Sequence, residues 1–546
     1  MYRNIKFDYI IIFFSFITNA FLFLQSCKSV RKDQLSIFRY NETTNISSLD
    51  PAFAKNQAGI WITHQLFNTL VEIDKEARVI PSLAKSWAIS PDLKTIKFFL
   101  RDDVFFHDHP AFKNGKGRKM TADDVVFSFQ RLIDPQLASP GAWIFQNKVD
   151  AVHPFEALND SIFILRLKEP FVQIIGVLTN KYCGIVPREV VEDKNYAWKQ
   201  HPCGTGPFKF FKWVEGQAII LKRNSNYFEQ DKSGKKLPYL DGIEIALNGT
   251  KATEFLTFRQ NKIDFINDID PTFKDEIFNK NGRLREAWEG KIILNTGPYF
   301  NTEYLGILMQ KKNNQNEVLR NKLVRQAISY GIDKKKLIMY LRNSAGRAGD
   351  QGFIPSGLPG YDSTCNYGYP YNPEKAMLLL KAAGYNIGNN NPVIHLSTVP
   401  AYADLASFIS KELKKIGIDL IIDVVPKSLL LSQIAKQEVD FFRGSWIADY
   451  PDAESFLSVF YSKNPSPPNY TRYYNPVFDQ LYEKCMKETD VIKRTHLYRT
   501  MDSLVMEDAP IIPLWYDQVI HLVQPNVQGF SPHPLNLLEL RKVWKL

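Results

Sequence analysis

The sequence predicts an α/β protein with at least two domains, and three observations support this prediction. At 546 residues the chain is too long for a single hydrophobic core. From Pro392 onward, strand-like and helix-like segments alternate, as in parallel strands joined by right-handed crossovers. The third of these strands leads into a loop that carries Arg443, Trp446, Asp449 and Tyr450. Because ligands bind at the carboxyl ends of strands in open α/β sheets, this loop is the predicted binding site.

The first half of the chain is predicted to consist mainly of strands and turns, with few helices. Thr121 is a predicted helix N-cap, and Asp124 stands three residues later as in a capping box. The predicted strands are 35–40, 95–101, 208–214, 218–222, 242–247 and 263–266, and the predicted helices are 59–70, 121–125 onward and 252–260. Gly204-Thr205-Gly206-Pro207 is interpreted as a structural turn, because Pro207 removes a backbone donor that a phosphate loop needs. Near Pro298 the pattern changes, and we place the first inter-domain crossing there.

The second half begins with helices and continues with the alternating run. Asp333 is a predicted cap, and Pro373 stands at the first position of a helix that Gly384 ends. The predicted helices are 317–330, 333–341, 373–383, 403–416, 429–436, 477–489 and 491–507, and the predicted strands are 393–399, 418–424 and 439–442. Ala509 to Leu514 is expected to return the chain to the first domain, which the tail then completes.

Composition and motifs favour a binding protein over other classes. The hydrophobic share of 45% and the charged share of 23% are ordinary for a globular protein. The net charge of +10 comes from scattered basic residues without a nucleic-acid recognition motif, so we predict no nucleic-acid partner. The sequence contains no G-x-S-x-G, H-E-x-x-H or Cys-x-x-Cys pattern, and we predict neither an enzyme nor a cofactor. His107-Asp108-His109 is interpreted as a turn and not as a metal site, since three side chains on one tight turn cannot all point inward.

Residues 1–27 have the features of an export signal. Arg3 and Lys6 precede an apolar run of 15 residues from Ile10 to Leu24, shorter than a spanning helix needs. The run ends in Leu24-Gln25-Ser26-Cys27, which resembles a lipobox and predicts lipidation at Cys27. The alternative, an uncleaved anchor helix, tethers the chain on the same side of the membrane. Either way we predict an extracytoplasmic, membrane-anchored protein.

The remaining cysteines allow a disulfide in that oxidising compartment. Cys183 and Cys203 flank a loop of 19 residues and form the favoured pair. Cys365 and Cys485 are left either free or paired, because sequence alone does not settle connectivity.

The charges of the predicted binding loop suit a ligand with an amine at one end and a carboxylate at the other. Arg443 supplies a cation, Asp449 an anion, and Trp446 lies between them. Two alternatives remain: Arg443 and Asp449 pair with each other, or Asp449 caps the following helix. Asp452 stands directly before that helix and is the better cap, which leaves Asp449 available.

Several segments together resemble one protein family. They are PSLAKSW at 81–87, FFHD at 105–108, GTGPF at 204–208, WIADY at 446–450, YNP at 474–476 and APIIPL at 509–514. The chain after residue 35 resembles the extracytoplasmic solute-binding proteins of family 5, the dipeptide- and oligopeptide-binding lipoproteins of ABC importers. The resemblance implies a type II, cluster C periplasmic-binding-protein-like fold, with two lobes around a ligand cleft, a hinge of two crossings and an extra subdomain in the first lobe. The expected division is 1–27 signal peptide, 35–64 with 185–297 and 510–546 as lobe I, 65–184 as its extra subdomain, and 298–509 as lobe II.

The same resemblance assigns roles to the loop residues. Asp449 is expected to hold the α-ammonium of a peptide, and Arg443 the carboxylate of a tripeptide, while Trp446 borders side-chain pockets and Tyr450 adjoins them. The expected function is capture of di- to oligopeptides by a monomer that delivers them to an ABC permease and its ATPase. The alternatives are the same fold binding an oligosaccharide, haem or a nickel complex, or acting as a ligand-sensing receptor domain.

Overall fold

The computed structural model describes residues 35–247, 249–270, 272–310 and 317–546. The predicted signal peptide and Cys27 lie outside these residues. The strands are β1 (Ile37–Asn41), β2 (Val71–Ile73), β3 (Val79–Pro81), β4 (Ala84–Ile89), β5 (Thr95–Leu100), β6 (Phe155–Asn159), β7 (Ile162–Arg166), β8 (Phe208–Val214), β9 (Ala218–Arg223), β10 (Gly242–Ala246), β11 (Phe265–Asn267), β12 (Ile293–Ile307), β13 (Arg347–Ala348), β14 (Val393–Thr398), β15 (Asp419–Val424), β16 (Phe441–Ile447), β17 (Ile511–Val523), β18 (Val527–Gln528) and β19 (Trp544–Lys545).

The α-helices follow the same chain order. They are α1 (Gln57–Leu66), α2 (Ala122–Ile133), α3 (Ile174–Val177), α4 (Arg188–Val191), α5 (Lys251–Arg259), α6 (Lys274–Ile277), α7 (Glu317–Arg320), α8 (Lys322–Gly331), α9 (Lys334–Arg342), α10 (Pro373–Ala382), α11 (Ala403–Lys415), α12 (Lys427–Ala435), α13 (Glu454–Leu457), α14 (Pro476–Cys485) and α15 (Val491–Asp508). The predicted helix 317–330 is divided into α7 and α8, because the Asn321 side chain caps the second of them through the N–H of Leu323.

One large sheet runs through both lobes, in the order β15-β14-β16-β12-β17-β11-β1-β10-β9-β8, with β13 beside β17. The long antiparallel pair β12 and β17 joins the two halves. Its register shifts between Pro298 and Thr302, opposite the stretch from Tyr516 to Gln518. The crossings between the lobes, expected near Pro298 and Pro510, stay a prediction. The register shift follows Pro298 on β12, and Ile511 to Pro513 of β17 pair with β12 beyond it.

The second lobe contains the predicted β-α-β run. β14 pairs in parallel with both β15 and β16, and Gly417 ends helix α11 at a φ of +85°. Both faces of this sheet are covered. Phe442 and Tyr304 belong to an apolar cluster under α13 to α15, and Phe441 and Leu305 to a second cluster under α8 to α11. The carboxyl ends of β14 and β16 therefore meet at one edge, between two packed layers.

The first lobe carries a smaller sheet, β4-β5-β7-β6, covered by α2. Phe129 of α2 packs edge-on against Phe163 of β7, with 5.5 Å between ring centroids. The capping box predicted at the start of α2 is present, with Thr121 and Asp124 bonding each other's backbone N–H groups. The core of this subdomain is continuous with that of the rest of the first lobe. The residue limits expected for the lobes and the subdomain stay a prediction.

The chain end completes the first lobe. Trp61 Nε1 of α1 donates to the carbonyl of Asn536 at 2.6 Å, and the Arg541 guanidinium lies 3.0 Å from the Glu72 carboxylate. β11 also pairs with the final residues of β17, from His521 to Val523. Residues after 516 thus fill positions that the N-terminal elements leave open.

Cys183 and Cys203 do not form the disulfide expected from their spacing. Both are free, buried thiols, and burial raises the pKa of each well above its usual value. The Cys203 Sγ donates to the His107 carbonyl at 3.2 Å, so a backbone acceptor takes the place of a second sulfur.

The His107 ring fixes the Gly204–Gly206 turn. Its Nε2 donates to the Gly206 carbonyl at 2.9 Å, and its Nδ1 accepts from the N–H of Gly204 at 3.3 Å. Within the described ranges, no group of three His, Cys, Asp or Glu side chains is arranged to hold a metal ion. Among those same residues, no helix combines the length and apolar character needed to cross a membrane.

Candidate functional site

Strand β16 forms one wall of the candidate site and is longer than the sequence predicts. The sequence predicts that it ends at residue 442, before Gly444-Ser445, yet the strand continues to Ile447 because it pairs with β12 from Asn301 to Ile307. Gly444 is needed here for space. A Cβ at this position would lie 2.7 Å from the ring of Tyr304, so glycine lets that ring pack against the strand. Trp446 is consequently a strand residue rather than a loop residue.

The loop after β16 presents Asp449 between the lobes. Its backbone N–H donates to Ser455 Oγ at 3.0 Å, and its carbonyl accepts from Asn180 Nδ2 of the first lobe at 3.3 Å. Asp452 is not the cap that the sequence predicts, because Ala453 is the N-cap of the following helix, but the Asp452 side chain accepts from the N–H of Glu454 at 2.9 Å. The Asp449 side chain is exposed, and its carboxylate has no ion pair within 4 Å among the described residues. The loop backbone is therefore fixed while the carboxylate stays available.

The electrostatic surroundings of Asp449 favour a cationic partner. Its side chain is open to solvent, but protein on both sides displaces most of the nearby water, and this desolvation raises its pKa to about 6. Lys148 of the first lobe opposes the rise. The Lys148 ammonium donates to the Trp143 carbonyl at 2.8 Å and lies over the Trp143 ring, and burial lowers its pKa. An added cation beside Asp449 would stabilise the ionised carboxylate further.

Trp446 and Tyr450 shape the walls next to Asp449. Trp446 Nε1 donates to the Ser455 carbonyl at 2.7 Å, which ties the strand to the loop. Tyr450 is only 3% exposed and packs into the core of the first lobe although it belongs to the second. Its ring lies against Gly176, where a Cβ would be 3.4 Å away, and its buried hydroxyl has no hydrogen-bond partner in the described part of the chain. Tyr450 is thus an inter-lobe contact.

A short segment of the first lobe makes further contacts across the cleft. Gln173 Nε2 donates to the Tyr498 hydroxyl at 3.2 Å, and the N–H of Val172 donates to the Met486 carbonyl at 3.3 Å. Together with Asn180, these residues hold the first lobe against the second on the Asp449 side. The loop predicted to bind ligand therefore lies between the lobes.

Arg443 lies toward the hinge and is already paired. Its guanidinium forms an ion pair with Glu303 of β12, and the two side chains are 13% and 5% exposed. The guanidinium also lies over the Tyr402 ring, 3.4 Å from its centroid. Burial raises the pKa of Glu303, and the Arg443 charge opposes that rise. Arg443 and Asp449 do not pair with each other, so that alternative is removed.

Sequence reasoning missed Glu303, Lys148 and Tyr402. Glu303 is 140 residues from Arg443, and only the pairing of β12 with β16 brings them together. Lys148 belongs to the subdomain and shares no pattern with the binding loop. Tyr402 follows β14, and its position at a strand's carboxyl end was the one available signal for it.

Comparison with known proteins gives one consistent result. Residues 78–468 match the family model described as bacterial extracellular solute-binding proteins, family 5 Middle. The dipeptide-binding protein DppE of Bacillus subtilis is 23% identical, over 92% of this chain and 90% of that protein. Heme-binding protein A of Haemophilus influenzae is 28% identical, over 86% and 85%. The structure of the periplasmic binding protein DppA from Helicobacter pylori, in complex with the peptide STSA, superposes with a TM-score of 0.74 at 25% identity, covering 95% of this chain and 100% of that one.

Proposed function

This chain belongs to the bacterial extracellular solute-binding proteins of family 5, and from that premise we propose that it captures peptides between its lobes and delivers them to an ABC permease. The B. subtilis and H. pylori relatives, one named for dipeptide binding and the other solved with a peptide, support a peptide ligand. In this proposal the protein acts outside the cytoplasm as a monomer, held at the membrane by a lipid on Cys27.

The observation that carries the proposal is the Asp449 carboxylate. It is exposed between the lobes, without an ion pair among the described residues, on a loop whose backbone is fixed from both lobes. A peptide α-ammonium supplies the cation that this carboxylate lacks, in a charge-assisted hydrogen bond. Trp446 flanks the position, where it is proposed to border the first side chains of the ligand, whereas the buried Tyr450 holds the two lobes together beside it.

The free edge of β16 offers a place for the peptide backbone. β14 pairs with β16 only at Ser397 and Phe442, so in the described structure no strand lies beside Arg443 to Ile447 on the edge opposite β12. An extended peptide can add to such an edge through main-chain hydrogen bonds, with its side chains directed alternately away from the strand. This mode recognises a backbone rather than a sequence and therefore suits a peptide importer.

A second candidate is the same cleft binding a different solute. The similarity to heme-binding protein A, over 86% of this chain, supports this alternative. The two candidates differ in what they require of Asp449, because a porphyrin has no ammonium to pair with it.

Mass spectrometry of the small molecules released from the purified protein by denaturation tests the proposal. We expect peptides with free N-termini from the wild type, and far fewer from Asp449→Asn prepared in parallel. A haem or another non-peptide ligand, bound equally by both proteins, would overturn the peptide assignment and leave the solute-binding family intact.

A further inference from the structure

A charge-balanced cluster occupies the hinge end of the cleft. The Arg443 guanidinium pairs with the Glu303 carboxylate, and Arg342 donates to Asp517 at 2.7 Å. Asn301 Nδ2 bridges the two pairs, donating to Glu303 Oε1 at 3.1 Å and to Asp517 Oδ2 at 3.2 Å. Two cations thus face two anions, and the charge of Arg443 is balanced from within the chain.

The strands and the burial of these groups fix this arrangement. Glu303 belongs to β12 and pairs across the sheet with Ser445 of β16 and Trp515 of β17. The Glu303 and Asn301 residues are each 4% exposed. Tyr402 covers the outer face of the Arg443 guanidinium. Removing Glu303 from Arg443 would leave a buried charge without a partner, which is strongly unfavourable.

A ligand carboxylate beside Arg443 would be a third anion in this cluster. It would lose its own hydration and meet two guanidinium groups whose charges Glu303 and Asp517 already balance, so no net positive charge would compensate that loss. The hydrogen bonds still unmade in the cluster also disfavour a carboxylate. Among the described residues, the buried Arg443 Nε–H and Asn301 Oδ1 lack hydrogen-bond partners, so the cluster presents both a donor and an acceptor. An amide offers one of each, whereas a carboxylate only accepts.

We infer that Glu303 sets the charge that the cleft accepts beside Arg443, so that the protein takes peptides presenting a neutral amide there rather than the free carboxylate of a tripeptide. The inference rests on the proposed function and refines it. The family resemblance gives Arg443 the role of binding the terminal carboxylate of a tripeptide. In this inference Arg443 instead belongs to an ion-paired part of the cleft that carries no net charge. Peptides that extend past Arg443, or that end in an amide, are the expected ligand class.

Calorimetric titration of tri-, tetra- and penta-alanine, each as free acid and as C-terminal amide, tests the inference. The wild type should bind tri-alanine amide at least as tightly as the free acid. Glu303→Gln keeps the shape of the side chain and removes its charge, so this variant should reverse the order and prefer the free acid by about tenfold. Glu244→Gln is the matched control, because Glu244 forms an exposed ion pair with Arg39 in the first lobe, and it should behave as the wild type.

The outcomes separate this inference from the proposed function. If the wild type prefers the free acid of tri-alanine by tenfold or more, Arg443 reads a carboxylate and the inference is wrong, while the proposed function stands. The wild-type ratio decides this even if Glu303→Gln fails to fold. If none of these peptides binds to the wild type, the proposed function is wrong and the inference falls with it.

Discussion

Replacing Asp449 with Asn tests the proposed ammonium site most directly. The substitution keeps the shape of the side chain and its exposed position, and removes one charge. An ammonium about 4 Å from a carboxylate gains about 1 kcal/mol in water and about 4 kcal/mol at an effective dielectric constant near 20. The site lies closer to the second case, because protein surrounds Asp449 closely enough to raise its pKa to about 6. In the variant, Lys148 would also repel the ligand without an opposing carboxylate. We expect a loss of about 3 kcal/mol, or about a hundredfold in Kd.

The assay is calorimetric titration of each protein with a peptide and its N-acetylated form. Acetylation removes the ammonium, so it should weaken binding to the wild type about as much as the substitution does. In Asp449→Asn, acetylation should add little, since both changes remove the same pair. Asp102→Asn, an exposed carboxyl in the subdomain, serves as the control and should match the wild type. Equal and independent losses from acetylation and from Asp449→Asn would refute the reasoning, because the two groups would then not be partners.

Four further outcomes are expected. Peptide affinity should fall as the pH drops below about 6, because a bound ammonium favours ionised Asp449 and protonation removes that form. A flat profile from pH 7 to pH 4.5 would contradict this. Small-angle X-ray scattering should show a smaller radius of gyration with peptide, since the paired strands β12 and β17 join the two halves and can act as a hinge, and an unchanged radius at saturation would count against hinge closure. Cys27→Ser should release the protein from membranes and alter its mass, whereas unchanged partition and mass would rule out the lipid anchor. Asp333→Ala, which removes the side-chain cap of α9, should lower the free energy of unfolding by about 1 kcal/mol in chemical denaturation, and an unchanged midpoint would show that the cap contributes nothing.

The local patterns of the sequence predicted much of the fold. The alternation of β14, α11, β15, α12 and β16 follows from apolar periodicity with Gly417 and other breakers between the elements, and all of these signals are local. The caps at Thr121 and Asp333 and the proline at the first position of α10 are equally local and are present in the structure. Long-range pairing was harder to predict. Strand β16 continues through Gly444 because β12 pairs with it, and no residue near position 444 in the sequence indicates that β12 is the pairing strand.

The candidate site shows the same division. Asp449 and Trp446 lie on one short segment, so a local sequence motif is enough to predict that they are neighbours in the candidate site. The charge state of Arg443 depends on Glu303, far away in sequence, and no local signal predicts that pairing. The disulfide expected for Cys183 and Cys203 is a case in which a local signal was misleading. Their spacing in the sequence allows a disulfide, but in the fold both thiols are buried and free, and the Cys203 thiol lies beside a backbone carbonyl instead of a second sulfur.

The way the chain end completes the first lobe has a consequence for the order in which the protein assembles. Residues 298–509, the predicted second lobe, are contiguous and can fold as they emerge. The first lobe, although it starts at residue 35, lacks the β17 residues that pair with β11, the carbonyl that accepts from the Trp61 indole, and Arg541 beside Glu72 until the last thirty or so residues arrive. At roughly 5 to 20 residues per second, synthesis of the intervening lobe takes on the order of ten to forty seconds. During that interval the nascent first lobe has an unpaired strand edge and an incomplete core, so this is the stage at which the chain most needs protection from aggregation.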